Sequence, residues 1–156
     1  MSGFVTPGTP NLPDFLTFLA DVGIPVSALP ANSPYPGYAF NQAMGLVVAP
    51  PAAFGTQVLY SLAVYNGGTH ILFSITPDQP GQTFFADARG KNGYGIVIPS
   101  TGLVAASSDQ GSSATLVVPD WARTLTVQQL AFFKTDWGRV FLQWNQSYGP
   151  APWVLV

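Results

Sequence analysis

The chain of 156 residues has no cysteine and no glutamate, and charged side chains make up 8% of it, against a usual share of about a quarter. Without cysteine there can be no disulfide, no thiolate metal site and no thiol nucleophile. The basic residues are only Arg89, Lys91, Arg123, Lys134 and Arg139, too dispersed to form a stripe that grips phosphates, so sequence-specific nucleic-acid binding is not expected. The acidic residues are Asp14, Asp21, Asp78, Asp87, Asp109, Asp120 and Asp136. None has a second carboxylate within two or three positions with which to share a metal ion or a proton. Cap and turn roles suit most of them, notably Asp14, Asp120 and Asp136.

Between Asp21 and Asp78 no side chain is charged, so this long segment must be core or must face something other than water. Its most apolar window, residues 43–64, is broken by Pro50, Pro51, Gly55, Thr56 and Gln57 and lacks flanking Lys or Arg. A spanning helix needs about 20 nearly continuous apolar residues, so no membrane segment is expected. Surfaces covered by subunit contacts explain the pattern better, because interface cores are poor in charge and rich in aromatics, which form 13% of this chain. The first residues carry no basic stretch followed by an apolar one; no secretory signal is expected, and synthesis in a cytoplasm is implied.

What is present reads as one domain, 1–156, of mainly α class: a small helical bundle with a projecting β-hairpin and extended N- and C-terminal arms. Residues 1–10, rich in Gly, Pro and Thr, form the N-terminal arm. Asn11 can cap a helix with Asp14 in its first turn and with Phe15, Phe18, Leu19 and Val22 along one stripe, until Gly23 and Pro25 stop it. Residues 24–37 read as an extended, Pro-punctuated linker. Phe40, Ala43, Met44, Val47 and Val48 then make a second helical stripe opposite Asn41 and Gln42, ended by Pro50 and Pro51.

Residues 56–76 support two readings. Asn66-Gly67 between apolar runs rich in Val, Ile, Tyr and Phe signals a hairpin, yet neither run alternates, and a buried helix fits periodicity as well. Residues 83–89 predict a short helix, and the following "GKNGYG" lacks the pattern of a phosphate loop and reads as a turn. Thr126 and Gln129 form a capping box, stapled by Leu125 and Leu130, that starts a helix at Val127. Thr135 can cap a last helix with Trp137, Val140, Phe141, Trp144 and Tyr148 on one face, closed by Gly149 and Pro150.

No catalytic, cofactor or metal residues are expected. His70 is the single imidazole; its nearest carboxylate in sequence is Asp78 and no Gly-x-Ser-x-Gly accompanies it, so it reads as a packed or interface histidine. Three other features invite a partner. The aromatic stripe of the last helix is core in its simplest reading and an interface anchor in the other. The tail 150–156 carries Trp153, Val154, Leu155 and Val156 and must pack on its own domain or insert into a partner. The stretch 100–119 reads as a Ser/Ala-rich ribbon, Leu103, Val104, Ser107, Ser108, Asp109, Gly111, Ser113, Leu116 and Val117, with Asp109 its one charge. Unguarded strand edges of this kind pair with a sheet or with a neighbouring subunit, although a plain surface loop also suits the composition.

The ribbon "STGLVAASSDQGSSATLVVP" followed by "KTDWGRVFLQWNQSYG" resembles the head-to-tail adaptor (connector, neck) proteins of tailed bacteriophages, in which a serine-rich loop or hairpin precedes a last helix with a Thr-x-aromatic-Gly motif and later aromatics. The matching positions are Thr135, Trp137, Gly138, Phe141, Trp144 and Tyr148, with Ser107, Ser108, Gly111 and Ser113 in the ribbon. The resemblance covers the C-terminal third and, loosely, "PDFLTFL" in the first helix; residues 24–37 and the tail do not map onto it.

That resemblance implies a non-enzymatic virion protein at the head-tail interface, a homo-oligomeric ring, a dodecamer, seated between the portal protein and tail or nozzle proteins. DNA would pass through its channel without specific binding. It also favours helix over hairpin for 56–76, places the ribbon at inter-subunit or channel-side contacts, and docks the tail on the portal or a neighbouring neck protein. A tail-tube or capsid-decorating protein is the alternative and would need a dominant β-sandwich; a small hydrolase using His70 is the other.

Overall fold

In the computed structural model, which describes residues 9–29, 32–47, 50–91, 106–109, 112–115 and 127–148, the chain begins its first helix where the capping pattern predicts. The Asn11 side chain accepts the Asp14 N–H at 2.9 Å and opens α1, Leu12–Asp21. Phe15 and Leu19 are buried, Phe18 and Val22 pack beside them, and Gly23 turns the chain away in the left-handed region at φ 89°. The Tyr65 hydroxyl accepts the Asn11 N–H at 3.2 Å and donates to the Asn11 carbonyl at 3.4 Å, fastening this helix start to the middle of the chain.

Residues 24–37 are not the extended linker the prolines suggest. Ile24 and Ala28 are buried in the core, Val26–Ala28 form a 3-10 turn, and α2, Tyr35–Leu46, already starts within the segment. Proline is compatible with a helix's first turn, where its missing N–H has no intrahelical partner, so Pro34 and Pro36 begin α2 instead of preventing it. Ala39 and Ala43 form its buried line, with Phe40, Met44 and Val47 beside them and Asn41 and Gln42 exposed.

Residues 56–76 form one helix, α3, Gln57–Ile75, capped by Thr56, whose hydroxyl accepts the Leu59 N–H at 3.4 Å. Every residue from Ala63 to Phe73 is buried. A helix enclosed all round has no polar face and hence no 3.6-residue alternation, which is why its periodicity is as weak as a hairpin's. Its polar side chains turn back on their own backbone: Asn66, Thr69 and Ser74 donate to the carbonyls of Leu62, Tyr65 and His70 at 2.8, 2.8 and 3.1 Å. Asn66-Gly67-Gly68 is therefore no turn. A Cβ on Gly67 would sit 2.7 Å from the Phe141 ring and one on Gly68 2.9 Å from the Phe15 ring, so the pair marks where two neighbouring helices come closest.

Helix α4, Phe84–Lys91, starts one residue later than predicted and is tied to the end of α3 by an ionic clasp. The Asp78 carboxylate accepts the N–H groups of Phe85 at 2.6 Å and Ala86 at 2.8 Å and lies 3.7 Å from the Arg89 guanidinium. Arg89 in turn donates to the carbonyls of Phe73 at 3.1 Å and Thr76 at 2.7 Å. Asp78→Ala is expected to lower unfolding free energy by about 2 kcal/mol in urea titrations, with Asp78→Asn recovering part of it, because charged hydrogen bonds to backbone are worth about 1.5–3 kcal/mol. A loss under about 0.5 kcal/mol would show that the clasp contributes no more than an exposed ion pair.

Two four-residue strands follow, β1 at Ala106–Asp109 and β2 at Ser112–Thr115, paired antiparallel with Ser108 opposite Ser113 and Asp109 opposite Ser112. Among the described residues this short antiparallel pairing is what the structure shows of the expected ribbon; it does not show the ribbon projecting, and the rest of 100–119 lies outside the described residues. Residues 1–8 of the N-terminal arm, the GKNGYG segment beyond Lys91, Leu125 and Thr126 of the capping pattern, Gly149 and the tail 150–156 lie outside the described residues.

Helix α5, Val127–Phe132, and helix α6, Asp136–Tyr148, complete a mainly helical fold in which α3 is central and packs against α1, α2, α4 and α6. Among the described residues no helix is long and apolar enough to cross a membrane.

Candidate functional site

The predicted motif and the lone histidine meet at one corner, where the turn from α5 to α6 is pressed against α3. Thr135 caps α6 as expected, its hydroxyl accepting the Gly138 N–H at 3.0 Å. The same oxygen lies 2.8 Å from His70 Nδ1 in a hydrogen bond whose direction depends on the imidazole tautomer. The Phe132 ring stacks on the imidazole with centroids 4.4 Å apart, and Phe141 stacks on Phe132 at 4.8 Å. Gly138 closes the corner. A Cβ there would collide with the Phe132 carbonyl oxygen and stand 2.9 Å from His70 Nδ1.

His70 is 3% exposed and Thr135 1%. Burial, with Lys134 adding a smaller repulsion, pushes the His70 pKa from 6.5 down to about 4, so the ring is neutral at pH 7. A hydrolase would need this imidazole accessible to substrate and a nucleophile free to react. Here the hydroxyl beside it is buried and already committed to the Gly138 N–H. The corner is a buried joint between α3 and the α5–α6 turn.

The remaining motif residues extend that joint along α6. Trp137 stacks on Phe73 at 5.0 Å and 10°, Tyr148 packs on Phe54 at 5.0 Å, and Trp144 is half-buried against the core. The buried centre of α6 differs from the predicted stripe: it runs through Gly138, Phe141, Leu142 and Asn145, leaving Trp137, Val140, Trp144 and Tyr148 at its half-buried edges. Small residues permit the closest approach of two helices, and large aromatics fill the widening gap on either side. Leu142 and Asn145 went unnoticed in the sequence because the aromatics alone already suggested a stripe.

A shallow cavity of about 140 Å³ opens beside the corner, lined by Gln42, Leu46, His70, Ile71, Ser74, Ile75, Ala131 and Phe132. Its walls are mostly apolar. No group of three His, Cys, Asp or Glu able to hold a metal occurs among the described residues. Of the ribbon positions, Ser107, Ser108 and Asp109 lie on β1 and Ser113 on β2, whereas Leu103, Val104, Gly111, Leu116 and Val117 lie outside the described residues, as do Trp153, Val154, Leu155 and Val156.

The fold defines a mainly helical protein organised on one enclosed central helix. Compared with protein-family profiles, curated proteins and solved structures, the chain matches none.

Proposed function

We propose that this chain is a structural virion protein, a head-to-tail adaptor that forms a ring between portal and tail and continues the DNA channel. The observation that carries the reading is the way Thr135, Trp137 and Gly138, the residues of the adaptor-like motif, dock as one unit on the central helix through His70 and Phe73. A motif used in this way belongs to the scaffold of the subunit, which suits a protein whose product is a shape. Sparse charge supports the same reading, as do the outward-facing apolar side chains Leu12, Leu16, Tyr38, Val58 and Ile75 on α1, α2 and α3, which a ring could cover.

In this proposal the chain assembles as a homo-oligomeric ring, a dodecamer, in contact with the portal on one side and tail or nozzle proteins on the other. The ribbon around Ser107, Ser108 and Ser113 makes inter-subunit or channel-side contacts as a projecting hairpin, and the arms at both ends are extended. DNA slides through a weakly acidic channel that offers few phosphate ion pairs. The protein is non-enzymatic. A tail-tube or capsid-decorating role was tied to a hairpin at 56–76 and a dominant sandwich; the helix α3 counts against it.

The test is to size the purified chain alone and with portal-bearing heads. A ring that binds the heads is the expected result; a monomer that ignores them would remove the proposal. Deleting residues 151–156 should abolish attachment to the heads while the subunit's helical circular dichroism is unchanged, and normal attachment would show that Trp153 to Val156 are not the portal contact.

A further inference from the structure

We propose that His70 is a proton-operated latch, whose protonation unlocks the α5–α6 corner from α3 while α1 and α2 stay packed. The latch stands on the hydrogen-bond chain at the corner and does not depend on the virion role. With the imidazole neutral and its hydrogen on Nε2, the Thr135 hydroxyl accepts from Gly138 N–H and donates to Nδ1, so the hydroxyl, the amide and Nδ1 are all satisfied. An imidazolium carries hydrogens on both nitrogens. Nδ1 can then only donate, and the Thr135 hydrogen must turn away inside a buried site with the backbone of Gly138 and Phe132 packed around it.

Among the described residues the charged groups near the corner offer the proton no counter-charge. Helices α2 and α3 have no charged side chain, and α5 has none either. The α5–α6 turn brings Lys134, which repels a second cation. At the start of α6, Asp136 is exposed and paired with Arg139; beyond the end of α3, Asp78 is engaged by Arg89 and two backbone N–H groups, and on α4 Asp87 accepts from Thr83. The face of Phe132 attracts a cation, weakly beside the hydration lost.

The sign follows from linkage. An opened corner exposes His70 to water, where it takes a proton at its ordinary pKa of 6.5, whereas the closed corner resists until about pH 4. The latch is therefore fully closed above pH 6.5 and weakens as pH falls toward 4, with the open-to-closed ratio rising on the order of 100-fold across the window.

Hydrogen exchange on the full chain from pH 7.5 to 4, corrected for intrinsic rates, tests this directly. Amides of α5 and the first turns of α6 should lose protection on the order of 100-fold between pH 6.5 and 4 while those of α1 and α2 keep theirs. His70→Gln should abolish the pH dependence and Thr135→Ser should preserve it. If the Gln variant does not fold, the unmodified protein still decides, because the single imidazole is assigned without ambiguity in its NMR spectrum. A ring that titrates near 6.5 in the folded state, equal exchange at all pH values, or uniform loss of protection in every helix would each overturn the latch.

Discussion

Gly138→Ala is expected to cost about 3 kcal/mol or more of unfolding free energy, the reverse of what the substitution does in an ordinary helix. In an open helical position, alanine in place of glycine stabilises by about 1 kcal/mol, because glycine loses more backbone freedom on folding. At Gly138 the new methyl would strike the Phe132 carbonyl oxygen and crowd His70 Nδ1, so it must either push α5 away from α6 or part Thr135 from the imidazole. Backbone cannot yield as a flexible side chain can. Gly45→Ala is the matched control: it also lies in a helix, a Cβ there meets nothing within 4 Å, and the same change should raise stability by about 0.5–1 kcal/mol. Urea unfolding of the two variants beside the parent checks both signs. A neutral or stabilising Gly138→Ala would mean that the corner is looser than its contacts imply.

The second large effect lies one turn along. Phe141→Ala should lose about 4 kcal/mol, since the ring is 2% exposed and sits in a stack with Phe132. Gly67→Ala alone should lose about 2 kcal/mol, because its Cβ would fall 2.7 Å from that same ring. In the double variant the two losses should not add: once the ring is gone, the alanine methyl at 67 meets open space and regains its helical preference. A coupling of about 2 kcal/mol in the double-mutant cycle is expected, and strict additivity would show that Gly67 and Phe141 do not share the space assigned to them.

How much of this was legible in the sequence depended on where a signal is local. The Asn11 cap, the stripe of Phe15 and Leu19, and the Thr135 cap all act within one helical turn, and all are found where the pattern puts them. Residues 24–37 misled because proline was read only as a breaker, although it also suits the start of a helix, as at Pro34 and Pro36. Asn66-Gly67-Gly68 left 56–76 open between helix and hairpin for a deeper reason: its purpose is set by Phe15 and Phe141, far away along the chain, and a local reading sees only the turn-forming habit of the same residues. The candidate site was half visible. His70 was read as a packed or interface histidine and Thr135, Trp137 and Gly138 as one motif, but no spacing rule connects position 70 with position 135. The Asp78–Arg89 clasp escaped notice because its acceptor precedes the helix it caps by several residues, outside the usual capping interval.

Helix α3 also has a history during synthesis. Its paired glycines make it a poor helix in isolation, and its final cover, α6, is encoded much later in the chain. At a translation rate of about 5–20 residues per second, the roughly seventy residues between the end of α3 and the end of α6 take on the order of 4–15 s to make. For that interval a nascent chain carries an apolar, chargeless segment with one side uncovered and nothing on it to discourage association. The same lack of charge that suits the finished subunit to being covered makes the unfinished one a natural client for chaperones, and any truncation before Thr135 a candidate for aggregation.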